Sequence, residues 1–163
     1  MPILKWVLVL SAVLVIGAIG AGRAGLLSGS APTALGARGG KLEPPSATDN
    51  SVSSQASLHP GHPRSASAQI EPLPLRGDGP MTIARIKAVV EAMPGAEVVR
   101  SDADYLYAQY TTRLMKFVDD VEFWYDPVAQ AIQVRSASRI GKGDMGVNRE
   151  RIEAVRAALA ASP

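Results

Sequence analysis

Four carboxylates, Asp119, Asp120, Glu122 and Asp126, fall in one short run of the chain. Two carboxylates in different surroundings can divide the duties of general acid and general base. A carboxylate-based enzyme using Asp119 or Asp120 and Glu122, with an arginine as electrophilic stabiliser, is therefore one reading of these residues. Alternation along a strand limits it, because Asp120 and Glu122 share one face while Asp119 points to the other. Ion pairing of Asp120 and Glu122 with Arg135 and Arg139, plus a loop cap at Asp126, accounts for the same residues without catalysis. No residue is assigned as catalytic.

Other groups with chemical potential fare no better. Arg135 and Arg139 stand at i and i+4, same-face neighbours roughly 13 Å apart on a strand, and they can converge only on a sizeable anion. His59 and His62 sit in a proline-rich stretch whose nearest acidic neighbours in sequence are Asp49 and Glu71, so the ligand set a metal needs is missing and no metal is assigned. Neither Ser53 nor Ser54 lies in the strand–turn–helix elbow that a Ser–His hydrolase requires. The glycines of Gly141-Lys142-Gly143-Asp144-Met145-Gly146 match neither the Walker nor the dinucleotide spacing, and a tight turn into a helix explains them. No cofactor is implied.

The elements that must position these residues are unevenly distributed along the 163-residue chain. With 47% apolar and 20% charged residues the composition is that of globular material, and the absence of cysteine excludes disulfides and thiolate chemistry. The net charge of +2 separates into five basic and two acidic groups over residues 1–69, against twelve and thirteen over 70–163. The C-terminal part is about neutral, which excludes a basic nucleic-acid footprint.

Residues 1–27 form a membrane anchor or signal segment. From Trp6 to Gly22 no residue is charged, and that helix would run roughly 26 Å, just short of a hydrocarbon core of about 30 Å. Lys5, Trp6 and Arg23 frame the segment. An uncleaved anchor is preferred over a cleaved signal, since Gly22-Arg23-Ala24 is a poor cleavage site, and over a buried helix of a soluble protein. The count of flanking basic residues leans toward a cytoplasmic C-terminus, whereas the signal-like layout favours a domain outside the cytoplasm. The latter is adopted: inner membrane, with the domain in the periplasm.

Residues 28–69 hold nine Ser, seven Ala, five Pro and five Gly and no aromatic residue. Such a segment cannot bury enough apolar surface of its own to offset chain entropy, and it is expected to be a disordered tether. The globular domain then occupies 70–163, and seven of the chain's eight aromatic residues lie between Tyr105 and Tyr125. Gly79-Pro80 starts a helix whose face carries Ile83, Ile86, Val90 and Met93 and which stops at Pro94-Gly95. Four strands follow, Ala96–Ser101, Asp104–Thr112, Phe117–Asp126 and Ala131–Ile140, joined by links short enough for an antiparallel meander. A last helix opens at Asn148 as N-cap, with Val147 and Ile152 placed for a hydrophobic staple, and buries Ile152, Val155 and Leu159.

Parity of the strands decides which face is available. A four-residue turn at Pro127–Gln130 sets Phe123 opposite Val134 and Glu122 opposite Arg135; the link across Arg113–Lys116 sets Leu106 opposite Phe123. One face then collects Leu106, Ala108, Tyr110, Phe117, Val121, Phe123, Tyr125, Ile132 and Val134, and should carry both helices. The other presents Tyr105, Tyr107, Gln109, Asp120, Glu122, Trp124, Gln133, Arg135 and Arg139. Aromatic rings beside paired charges are typical of an interaction surface. For Asp119, on the apolar side, the hydroxyl of Ser138 is the expected partner.

The runs Phe117-Val118-Asp119-Asp120-Val121-Glu122-Phe123-Trp124, Val134-Arg135-Ser136-Ala137-Ser138-Arg139-Ile140-Gly141 and Asp144-Met145-Gly146-Val147-Asn148-Arg149 closely resemble a bacterial and plant domain of unknown function, DUF1499. Asn50-Ser51-Val52-Ser53-Ser54-Gln55 is similar to that family's N-terminal motif, and the likeness extends over roughly Leu42 to Leu159. The resemblance implies a membrane or signal segment in front and, in many members, a cysteine pair where this chain has Pro45 and Ser51. It implies no activity.

The sequence thus predicts an α+β protein: a four-stranded antiparallel meander with two helices on one face, behind a membrane helix and a disordered tether. The expected function is a non-catalytic binding or accessory module of the cell envelope. Its candidate ligand or partner surface is Tyr105, Tyr107, Asp120, Glu122, Trp124, Arg135 and Arg139. The expected partners are the membrane through residues 6–22 and a protein or small anionic ligand, not nucleic acid.

Overall fold

The computed structural model describes residues 2–161. An N-terminal helix, α1 (Pro2–Arg23), leads into a single sheet flanked by two long helices. Its stretch Ile3–Arg23 is long and apolar enough to cross a membrane. Helix geometry continues through Lys5 and Arg23, beyond the uncharged run, so the helix reaches roughly 30 Å rather than falling short.

The chain then forms β1 (Ser51–Ser53), a 3-10 turn at Ala56–Leu58 and the single-turn helix α2 (Ser65–Ala68). Next come α3 (Gly79–Glu91), β2 (Ala96–Ser101), β3 (Tyr105–Thr111), β4 (Val118–Asp126), β5 (Ala131–Ser138) and α4 (Val147–Ala161). The sheet is antiparallel throughout, in the order β1-β5-β4-β3-β2. The expected meander is present, and its registers are those expected from parity: Phe123 faces Val134, Glu122 faces Arg135, and Leu106 faces Phe123.

Two expectations about the sheet and the segment before it are corrected. The sheet has five strands rather than four, because Ser51–Ser53 pairs with Arg135–Ala137 along the free edge of β5, and Leu73 adds a one-residue bridge to Ile132. Nor is the segment 28–69 a disordered tether throughout: Leu42, Val52, Ala56 and Ala68 are all buried. A composition argument counts only the apolar surface a segment supplies itself. Here Leu42 packs on Tyr105 and Tyr107, Val52 joins the helix-side core, and the hydroxyls of Ser51, Ser53 and Ser54 find partners, so low hydrophobicity does not prevent ordering.

Both long helices lie on the expected face. Asp78 caps α3 by accepting from the Met81 amide at 2.8 Å, and Gly79 opens the helix against the ring of Tyr125, where a Cβ would collide. Ile83, Ile86 and Val90 of α3 and Ile152, Val155 and Leu159 of α4 join Leu106, Ala108, Val121, Phe123, Ile132 and Val134 in one core. Phe117 departs from expectation. It precedes β4 and is 37% exposed, because the pleat that would have turned it inward begins only at Val118.

The start of α4 also differs. Asp144, not Asn148, caps it, accepting from the amides of Gly146 at 2.9 Å and Asn148 at 3.0 Å. Val147 stays exposed, so no staple closes over Ile152. Asn148 is instead buried, which frees its side chain for tertiary contacts.

Candidate functional site

The second face of the sheet carries the candidate residues, and strand parity places them together as expected. Tyr105 stands opposite Trp124, Tyr107 opposite Glu122, and Glu122 opposite Arg135. They do not form an open surface. Residues 35–45, an arm that doubles back through a tight turn between Arg38 and Lys41, lie over them, with Leu42 buried against Tyr105 and Tyr107, and with Leu35, Ala37 and Trp124 packed beside it. Trp124 and Arg135 remain half-buried at the rim, whereas Tyr105, Tyr107, Asp120 and Glu122 are buried.

Side chains of the sheet layer hold the arm largely by its backbone. Glu122 accepts the Gly36 amide at 2.7 Å, and Arg135 Nε donates to the Pro44 carbonyl at 3.0 Å. Gln55 grips both polarities, accepting from the Leu42 amide at 2.8 Å and donating to the Gly40 carbonyl at 3.0 Å. Four contacts to main-chain atoms fix the path of the arm while asking little of its side chains.

Beneath the arm each acid has a partner. Asp120 receives Arg139 through two nitrogens, both at 2.8 Å, and the Tyr107 hydroxyl at 2.6 Å. The hydrogen bond to Asp120 raises the pKa of Arg139. Glu122 Oε1 also accepts from the Tyr105 hydroxyl at 2.8 Å, and its Oε2, with no hydrogen bond of its own, faces Arg135 at 3.8 Å. Burial pushes both tyrosine hydroxyls above the ordinary phenol range, reinforced by Glu122 at Tyr105 and by Asp120 at Tyr107.

Asp119 points to the helix side, as expected, but its partner is Arg151 of α4 at 2.5 Å rather than Ser138. Arg151 also lies over the ring of Tyr110, 4.5 Å from its centroid. Ser138 receives Asn148 Nδ2 at 2.9 Å instead. Asp126 caps the β4–β5 turn, accepting from Val128 and Ala129. His62 Nδ1 accepts the Arg64 amide. The Gly141–Gly146 segment serves α4: burial opposes ionisation of Asp144, but the Asn148 and Gly146 amides outweigh it and lower its pKa.

Sequence reasoning missed Gln55 and Arg151 and gave Asn148 only a capping role. Asn148 binds the Asn50 carbonyl, Ser138 and Asp144 through its nitrogen and takes Ser136 and Arg151 on its oxygen. It thereby ties α4 to β5 and to the loop before β1. Both asparagine and glutamine belong to the motifs that carried the family resemblance, and this was the available signal. Where the resemblance implies a crosslink, the Ser51 hydroxyl accepts the Ser46 amide at 2.8 Å.

These features define an α+β domain behind an apolar N-terminal helix, its single sheet covered by helices on one side and by an arm on the other. The chain belongs to the family described as proteins of unknown function, DUF1499, whose model matches residues 41–159. The match begins within the arm, so the family unit includes part of the cover as well as the sheet. No curated protein and no solved structure matches the chain.

Proposed function

We propose that this protein is a membrane-tethered, non-catalytic binding or accessory module of the cell envelope, and that the mixed face of its sheet is the surface that binds. The observation that carries the reading is the arm. Tyr105, Tyr107, Trp124, Glu122 and Arg135 accommodate a proline-containing segment, folded back by a turn between Arg38 and Lys41, through backbone contacts at Gly36 and Pro44. A face that holds one peptide segment by its backbone suits another, with the rim at Trp124, Arg135 and Arg139 as the point of entry. The apolar helix α1 supports the tether, and its signal-like layout supports a periplasmic domain.

The carboxylate-enzyme reading has less support. Asp120 is engaged by Arg139 and Tyr107, Glu122 by Tyr105 and Gly36, and Asp119 by Arg151. An acid–base pair needs a carboxyl group that meets substrate. An NMR titration in which one of these carboxyls titrates well above its ordinary range would revive that reading.

The test of the binding face is in-cell crosslinking of the full chain, with and without Trp124→Ala combined with Arg135→Ala. Loss of the adducts formed by the parent is the expected result; adducts that persist unchanged place binding elsewhere. A C-terminal reporter fusion tests the compartment: activity outside the cytoplasm is expected, and activity only inside it overturns the envelope assignment.

A further inference from the structure

We infer that the end of the domain nearest α1, formed by the β3–β4 loop and the loop before α4, rests on an anionic lipid surface. The inference relies on α1 being a membrane anchor, and it concerns a different surface from the mixed face. Its first support is geometric. Gly22, in the last turn of α1, is buried so closely on the backbone of Met115 that a side chain there would collide with the Met115 carbonyl. An apolar helix that crosses a bilayer ends its apolar stretch near headgroup depth, so the loop seated on that end lies at the same depth.

The side chains around this contact suit such a depth. Leu114 is 55% exposed and Met145 is 99% exposed. Met145 sits at the tip of its loop with φ of 55°, a backbone state in which Gly, Asn or Asp is the usual occupant. Phe117 and Met145 line one depression of about 420 Å³ that opens between the two loops. Large apolar side chains held out on adjacent tips mark a membrane or partner contact.

Charge separates these two. Arg113, Lys116 and Lys142 flank the apolar tips, are exposed, and form no ion pair among the described residues. Asp144, the acid in these loops, is spent on capping α4. The opposite end of the strands, by contrast, carries Asp102, Asp104 and Asp126. An apolar tip ringed by unpaired cations is complementary to anionic headgroups above hydrocarbon.

The chain contains no cysteine, so single nitroxide labels can be placed in the full-length protein by Met145→Cys, Leu114→Cys, Val128→Cys and Val13→Cys. In vesicles of phosphatidylglycerol and phosphatidylethanolamine, the labels at 145 and 114 should be protected severalfold from an aqueous nickel chelate relative to the label at 128, on the far turn. Combining Arg113→Glu, Lys116→Glu and Lys142→Glu should abolish that protection while the label at 13 stays deep in the bilayer. Labels at 145 and 114 as accessible as 128, with 13 deep, overturn the surface and leave the anchor standing. An accessible label at 13 overturns the anchor and the inference with it. Protection that survives charge reversal, or that comes with spin–spin broadening between copies, replaces the lipid surface with another occupant and also overturns the proposal.

Discussion

The two faces of the sheet are excluded from water to nearly the same degree by opposite means. On one, Leu106, Val121, Phe123 and Val134 meet hydrocarbon stripes from α3 and α4; on the other, Tyr105, Tyr107, Asp120 and Glu122 pair with one another and with Arg139, and the arm closes over them with the Gly36 amide on Glu122. A hydrocarbon face accepts any apolar cover of suitable shape, since burial is non-directional. A polar face accepts only a cover whose donors and acceptors fall in the right places, because each unmatched group is costly. The helix side therefore supplies most of the stability, while the arm side fits only a cover that matches its polar groups.

The largest effect that would test this division is expected from Phe123→Ala, which removes a fully buried ring from the helix side. It should destabilise the domain by about 4 kcal/mol in denaturant unfolding. A loss below about 1 kcal/mol would show that the helix-covered core is not the main source of stability.

Alkaline titration probes both faces at once. Burial, opposed by Arg151, pushes Tyr110 on the helix side up to about 12, and the arm-side Tyr105 and Tyr107 are raised as well. A phenol with a raised pKa in the folded state stabilises the fold below its unfolded pKa near 10, and that contribution is lost as pH rises through the folded value. For Tyr110 the loss between pH 10 and 12 is on the order of 2–3 kcal/mol. Ultraviolet titration of phenolate should show these three tyrosines ionising late and together with unfolding. Early ionisation of Tyr105 and Tyr107 alone would show the arm leaving before the helices do.

Leu42→Ala should have the smallest effect, about 2 kcal/mol, at the low end for a buried leucine because an arm outside the helix-covered core can settle into the space. Hydrogen exchange should quicken at the Gly36 amide and stay slow in the Phe123 strand, the signature of a locally opening unit. Equal acceleration on both faces would make arm and helices a single cooperative structure and remove the contrast.

Much of the architecture was legible because it rests on short-range periodicity. Ile83, Ile86 and Val90 announce the stripe of α3, and the alternation through Asp120, Val121, Glu122 and Phe123 sets both faces before any contact is known. The mixed character of the candidate surface was legible for the same reason. Its cover was not: the arm is poor in apolar residues, and β1 reads as linker because Ser-Val-Ser pairs only at an edge. Asn148 read as a cap because an asparagine before an apolar stripe usually is one, yet Asp144 lies close enough to take that role.

By itself, the sequence determined which side chains share a face, since parity and helical pitch are properties of the local backbone and need no partner. Only the tertiary structure decided what closes each face. Gly36 and Glu122 are 86 residues apart in the chain, Asp119 and Arg151 are 32 apart, and no periodicity links positions that distant. Their pairing follows from which buried donor finds which acceptor once the sheet has formed.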